Sequence, residues 1–330
     1  MRVLSGNQPS GALHLGNWFG AIRQFLALQE EHTCFFFIAS YHALTTQRDP
    51  AIVRENIRDV AASYLALGLD PARSVLFDQS DLPEHHEIAW FLTCLTPVGM
   101  LQRAHSYKDK VARGLDASHG LFAYPVLMAA DILAYDADLV PVGKDQKQHV
   151  EIARDLATRV NNEWGDLLRL PEPYTLDESA VVPGIDGEKM SKSYDNTIGL
   201  FLPPKALKKR VMSIVTDSTP VEDPKDPDKD TVFALYRLFA SPAETEEMAR
   251  LYREGGYGYG DAKKALLEKV EALVGPARDK RDDWLARPDD LEDVLADGAR
   301  RAREVARPVL ERLRTAVGFP PRPRGAAAGR

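Results

Sequence analysis

The sequence predicts an α/β fold, in which helices surround a parallel sheet and a helical second part follows. Three observations predict it. Short apolar runs alternate with longer helical patterns through the first half, as strands and crossover helices do around a parallel sheet. From about Pro203 the strand signals stop and charge-rich helical patterns take over. The 330 residues exceed the size at which one core usually keeps growing, so a large domain and a smaller one are expected.

Taken in order, strands are expected at Val3 to Ser5, Cys34 to Ala39, Val75 to Asp78 and Leu139 to Val142. Between the second and third, Ile57, Val60, Ala61, Tyr64 and Leu65 recur at helical spacing and form a stripe that packs on the sheet. In the second part Ala262 to Val274 carries Lys263, Lys264, Glu268, Lys269 and Glu271 on its polar positions. Pro220 to Asp230, rich in Pro and Asp, is expected to be a mobile surface loop, and Arg322 to Arg330 a frayed tail.

A hydrophobic share of 44% is enough for a sizeable core, and 28% charged residues keep such a chain soluble. No apolar run approaches the ~18 residues of a membrane span, and the first residues lack a signal h-region, so a cytoplasmic protein is expected. Cys34 and Cys94 belong to no C-x-x-C pair and lie in apolar surroundings, which predicts buried thiols and no zinc site. The net charge of -7 argues against indiscriminate nucleic-acid binding while leaving room for a local basic face.

Gly6-Asn7-Gln8-Pro9-Ser10-Gly11 follows the first strand, and His14-Leu15-Gly16-Asn17 sits where the next helix begins. Glycines let backbone approach a ligand, and a helix N-terminus offers unpaired N–H groups to phosphate oxygens. The glycine spacing matches a P-loop, but Ala12-Leu13 stands where Lys and Ser or Thr belong, which rules out a Walker-type ATPase. No G-x-G-x-x-G follows a strand, so dinucleotide redox chemistry has no support. A glycine turn of this kind is also a common structural element. The second piece is Lys189-Met190-Ser191-Lys192-Ser193, placed on an exposed loop by the turn-rich Pro183 to Glu188. Two lysines with interleaved hydroxyls can neutralise a leaving pyrophosphate, although a solvated charge cluster would look the same.

Together these pieces resemble the HIGH and KMSKS signatures of class I aminoacyl-tRNA synthetases. Ser5 to Gly11, Tyr124 to Leu133 and Pro141 to His149 are similar to the bacterial tryptophanyl members of that family. The resemblance runs from the first strand through the lysine loop and weakly into Gly258 to Lys264. It implies a Rossmann-like catalytic domain over residues 1–195 and a C-terminal α-helical, anticodon-recognising domain over 196–330, with a flexible tail from about 320. It further implies ATP-dependent activation of L-tryptophan, transfer to a ribose hydroxyl of tRNA(Trp), Mg²⁺ carried in by ATP and no protein metal site. A homodimer built around Leu92 to Tyr107 is implied as well. The rivals are a tyrosyl-tRNA synthetase, a small nucleotidyltransferase and a synthetase-like binding protein without catalysis. Intact His14, Lys189 and Lys192 speak against the last.

By the same resemblance His14, Lys110, Lys189 and Lys192 are the catalytic groups. ATP is expected at Gln8, Pro9, Ser10, Gly16, Asn17, Gly143, Lys144, Asp145, Val182, Lys189, Met190, Ser191, Lys192 and Ser193. Tryptophan is expected at Asp131, Met128, Tyr124, Gln146, His42 and Gln8. An indole has one polar atom, an N–H donor, so a selective pocket needs an acceptor such as Asp131 at its floor. Read from the residues alone, Asp131 could equally bond a neighbouring backbone group, and Met128, one turn earlier, could serve core packing. Arg278, Lys280, Arg281, Arg300, Arg301 and Arg303 are candidate tRNA phosphate contacts or simply a wet helix face.

Overall fold

A computed structural model describes residues 1–104, 107, 118–143, 146–174 and 182–320. Its centre is a five-stranded, wholly parallel sheet of β1 (Arg2–Asn7), β2 (Thr33–Ile38), β3 (Val75–Asp78), β4 (Leu139–Pro141) and β5 (Glu172–Tyr174), in the order β3-β2-β1-β4-β5. The run Cys34 to Ile38 is buried throughout, as a strand covered on both faces must be. The chain moves outward from β1 to β3 and then crosses back to β4 on the other side of β1. Connections therefore leave the carboxyl ends of β1 and β4 in opposite directions and open a crevice there. Four strands fall where the sequence predicts them. The fifth, β5, is three residues long with Pro173 at its centre; proline is tolerated in a sheet on an edge, where a strand needs fewer donors.

After β1, a short helix α1 (Leu15–Asn17) passes through a π turn at Trp18–Ile22 into α2 (Arg23–Glu31). The short α3 (Ser40–Ala43) follows β2 and leads to α4 (Pro50–Leu67), which carries the predicted stripe. Asp49 caps α4 by accepting from Ala51 and Ile52 N–H, Pro50 fills its first turn, and Gly68 at φ 112° ends it. Next come α5 (Glu84–Leu95), α6 (Val98–Arg103), α7 (His119–Leu133) and α8 (Lys147–Trp164). The helical part comprises α9 (Pro204–Met212), α10 (Thr231–Tyr236), α11 (Pro242–Glu254), α12 (Tyr259–Leu285) and α13 (Pro288–Ala316).

The helical part does not stand apart from the sheet. One core joins Phe25, Phe36 and Tyr64 to Leu266, Val270 and Val274 of α12, and it also holds Leu291 and Leu295 of α13. The core on the other face holds Phe35, Phe37 and Phe77 with Ala302, Ala306 and Leu310 of α13. Helix α13 thus crosses the free edge of β3, and the crossing point is Gly298. A Cβ there would lie 1.7 Å from the Leu76 carbonyl oxygen, so only glycine permits the contact.

Two expectations are corrected. Pro220 to Asp230 is anchored, not mobile: Lys225 is 4% exposed, and its ammonium donates to the carbonyls of Pro220, Val221 and Asp223 at 2.8, 3.2 and 3.0 Å. Three carbonyls replace the water an ammonium would otherwise keep. Of the two cysteines, Cys34 is buried but Cys94 is exposed on α5. The tail from Arg322 lies outside the described residues.

Candidate active site

The crevice between β1 and β4 is a cavity of about 820 Å³, lined by both strands and by α1, α7 and the 182–190 segment. One end is formed by the start of α1. His14 is the N-cap of α1, and its Nδ1 accepts from Gly16 N–H at 3.1 Å, which leaves the proton on Nε2 as a donor. In turn Asn17 Oδ1 accepts from His14 N–H at 3.0 Å. A Cβ on Gly16 would sit 2.9 Å from the imidazole, so the glycine lets the ring fold back over the helix start. Burial, with the Lys192 charge adding to it, lowers the His14 pKa to about 4, so the ring is neutral at physiological pH.

Facing this end, Val182 to Met190 forms a hairpin closed by Met190 N–H to Val182 O at 2.9 Å. Asn196, 1% exposed, pins the lysine loop from behind. Its Oδ1 accepts from Ser191 N–H at 2.7 Å, and its Nδ2 donates to Asp186 Oδ1 at 2.9 Å and Lys189 O at 3.1 Å. Leu15 N–H to Ile198 O (3.0 Å) and Leu200 N–H to Leu13 O (2.9 Å) tie the start of α1 to the segment after the lysine loop. Lys192 reaches across, donating to the carbonyls of Ser10 and Gly11 at 3.0 and 2.9 Å. Partial burial of its ammonium lowers the pKa, opposed by the charge of Asp59.

The other end carries Asp131, wholly buried on α7. His42 Nε2 lies 2.8 Å from its Oδ2, and Gln79 Nε2 donates to both oxygens at 2.8 and 2.9 Å. Burial pushes the carboxyl upward in pKa, but the bonds from His42 and His85 and their charges outweigh it and hold the group below the usual carboxylate range. It is an ionised acceptor at the end of a mostly apolar cavity. Tyr124 borders the same space, its hydroxyl 2.9 Å from His149 Nε2.

A cleft with His14 and the lysine loop at one end and a buried anion at the other is matched by what the chain resembles. The family model described as tRNA synthetases class I (W and Y) matches residues 1–275. The chain belongs to this family. A tryptophan–tRNA ligase of Rhodopirellula baltica is 56% identical over 97% of this chain and all of its own length. One from Campylobacter jejuni is 52% identical over the same shares. The crystal structure of the Campylobacter jejuni tryptophanyl-tRNA synthetase complexed with ADP and tryptophan superposes with a TM-score of 0.92, at 52% identity and with 97% and 100% of the two chains covered. A tyrosyl-tRNA synthetase from Archaeoglobus fulgidus, 22% identical with a TM-score of 0.64, shares the fold.

Of the synthetase residues expected from sequence, the cavity wall gathers Gln8, His14, Gly16, Asn17, His42, Tyr124, Met128, Asp131, Gly143, Gln146, Val182, Lys189 and Met190. Pro9, Ser10, Ser191, Lys192 and Ser193 lie beside the wall without lining it, with Lys192 bonded to the Ser10 loop. Lys110, Lys144 and Asp145 lie outside the described residues. Sequence reasoning missed Gln79, His85 and Asn196. Gln79 directly follows β3, at the carboxyl edge where such folds bind ligands, and that position was the available signal.

Most of the candidate phosphate contacts are occupied inside the molecule. Arg281 donates to Asp59 at 2.8 Å, Arg278 to Glu271 at 2.9 Å, Arg303 to Glu84 at 3.1 Å and Arg301 to the Pro71 carbonyl at 2.6 Å. Arg300 pairs with Asp297 at 2.7 Å and Glu304 at 2.6 Å. Of the six candidates Lys280 alone forms no ion pair with a described residue. Arg281, Arg301 and Arg303 fasten α12 and α13 to the sheet domain.

Proposed function

We infer that this chain is a tryptophan–tRNA ligase, which activates L-tryptophan with ATP and passes it to tRNA(Trp). The observation that carries the reading is the ionised, buried Asp131 at one end of a cavity whose other end presents neutral His14 and the start of α1. The tryptophan carboxylate attacks the α-phosphorus in line with departing pyrophosphate; the bond to the bridging oxygen breaks and its electrons leave with pyrophosphate. His14 donates from Nε2 to a phosphate oxygen, while the N–H groups of Leu15, Gly16 and Asn17, paired with Ile198 O, His14 Nδ1 and His14 O, fix the turn that aims the ring. Lys189 stands at the mouth, and Lys192 leaves the Ser10 and Gly11 carbonyls to meet the charge that grows on the β- and γ-phosphates. The Mg²⁺ belongs to the ATP substrate. Asp131 accepts from the indole N–H, Met128 packs on the ring, and Tyr124, Gln146 and His42 orient the amino and carboxylate groups.

The reading assigns catalysis to residues 1–195 and anticodon recognition to the helices after 196. It takes the working form to be a homodimer joined through α5 and α6, where Trp90 and Val98 are 65% and 61% exposed. It places the enzyme in the cytoplasm, where its tRNA is; no helix among the described residues is long and apolar enough to cross a membrane. The test is exchange of labelled pyrophosphate into ATP with each amino acid in turn. Exchange with tryptophan that is lost in Asp131→Ala supports the reading. Exchange driven by tyrosine would replace it with the tyrosyl enzyme, and none at all would leave a binding protein.

A further inference from the structure

The floor of the cavity has more machinery than a single acceptor needs. Gln79 and His85 both reach Asp131, yet neither lines the cavity, and both are fully buried behind it. They cannot touch a substrate. Gln79 is held in one orientation: its Oε1 accepts from Tyr41 N–H at 3.1 Å, which turns Nε2 toward the carboxylate, where it meets both oxygens. His85 Nδ1 lies 2.8 Å from Asp131 Oδ1 in a bent contact, and its Nε2 is 2.7 Å from the Tyr135 hydroxyl. Tyr135 is wholly buried; burial and the charges of Asp131 and Glu84 keep its phenol protonated. An ionised carboxylate only accepts, so the nitrogen that faces it, Nδ1, carries a proton, and the phenol's own proton is then available to Nε2.

We propose that Gln79 and His85 are positioning residues that set selectivity for a ring bearing an N–H, by holding the Asp131 carboxylate in one plane. A carboxylate has room for about four donors. Gln79 at both oxygens and His42 at Oδ2 make three hydrogen bonds, with His85 Nδ1 as a bent ion contact beside them, and leave capacity for a fourth, which the ligand brings. A carboxylate held at both oxygens cannot turn to follow a ligand. A ring without the N–H, or with it misplaced, then leaves the buried charge one donor short. The inference rests on Asp131 being the indole acceptor.

The test compares tryptophan with 3-(1-benzothiophen-3-yl)alanine, which keeps the bicyclic shape but has sulfur in place of N–H, in pyrophosphate exchange by the full chain. Gln79→Met keeps the volume and removes the donor. It should lower the preference for tryptophan by about tenfold, through the KM for tryptophan, while kcat/KM for the sulfur analogue stays within about twofold. Tyr135→Phe keeps the ring, releases His85 and should lower the preference by about threefold. Equal losses for both substrates would mean a packing role and overturn the proposal, as would an unchanged preference. If Gln79→Met does not fold, Tyr135→Phe decides alone. Asp131→Ala separates the two levels. A preference that survives Asp131→Ala overturns the acceptor reading itself; one that collapses there but survives in Gln79→Met and Tyr135→Phe overturns only the cradle.

Discussion

Replacing Asn196 by alanine should slow adenylate formation although Asn196 lies outside the cavity wall. The side chain makes three bonds, at 2.7, 2.9 and 3.1 Å, and two of them end on the backbone of Ser191 and Lys189 within the lysine loop. At a net of about 1 kcal/mol each they sum to about 3 kcal/mol. Lys189 is exposed and Ser191 half-buried, so water replaces part of what is lost, leaving roughly 1.5 kcal/mol against the ordered loop. At 1.4 kcal/mol per factor of ten, kcat for adenylate formation should fall about tenfold. The KM for tryptophan should stay within about twofold, because Asp131 and Met128 sit on α7, away from this loop. Asn196→Asp should do worse than alanine, since a second carboxylate would face Asp186 at the 2.9 Å the amide now occupies. Single-turnover formation of the adenylate, followed beside equilibrium tryptophan binding, measures both. A kcat that falls less than twofold, or a tryptophan affinity that falls in step with it, would refute the argument that Asn196 acts by ordering the loop.

Three further outcomes follow from the same geometry. Lys192→Ala should lower kcat for exchange by a factor on the order of a hundred with little change in tryptophan affinity, and an unchanged kcat in stopped-flow assays would remove Lys192 from the mechanism. His14 has a folded pKa of about 4 against 6.5 for a free imidazole, so the unfolded chain takes up this proton first as the pH falls. Its contribution is absent above pH 6.5, and stability is lost between 6.5 and about 4; urea midpoints measured from pH 7 to 4.5 should fall further in the native chain than in His14→Gln. Gly298→Ala should lower the melting temperature by many degrees, because a methyl group 1.7 Å from the Leu76 oxygen forces α13 off the sheet at a cost of about 3 kcal/mol or more.

The sequence made the parallel sheet legible because its strands are buried on both faces and so read as unbroken apolar runs such as Cys34 to Ile38. Strand β5 escaped because three residues around a proline carry no period. The helical second part was legible from the 3.6-residue spacing in Ala262 to Val274, but its docking was not: Gly298 in the middle of a helix was the one hint that another backbone comes close. The loop at Pro220 to Asp230 misled because proline and aspartate look alike in a free turn and in one closed over a buried lysine. In and beside the cavity, His14, Lys189 and Lys192 stand out by motif. Gln79 and His85 do not, since their work depends on contacts 52 and 46 positions away in the chain that no local pattern encodes.

Because α13 covers the edge of β3, the sheet is completed by a helix made more than 200 residues after β3. Until residues 288–316 emerge, a nascent chain holds the edge of β3 uncovered, beside the apolar surfaces that Leu295 and Ala302 later cover. Such an edge is a template for pairing with another copy. Chains stopped short of Gly298 by premature termination should therefore be lost to aggregation or proteolysis instead of accumulating as folded catalytic fragments, although every residue that lines the cavity has already been made.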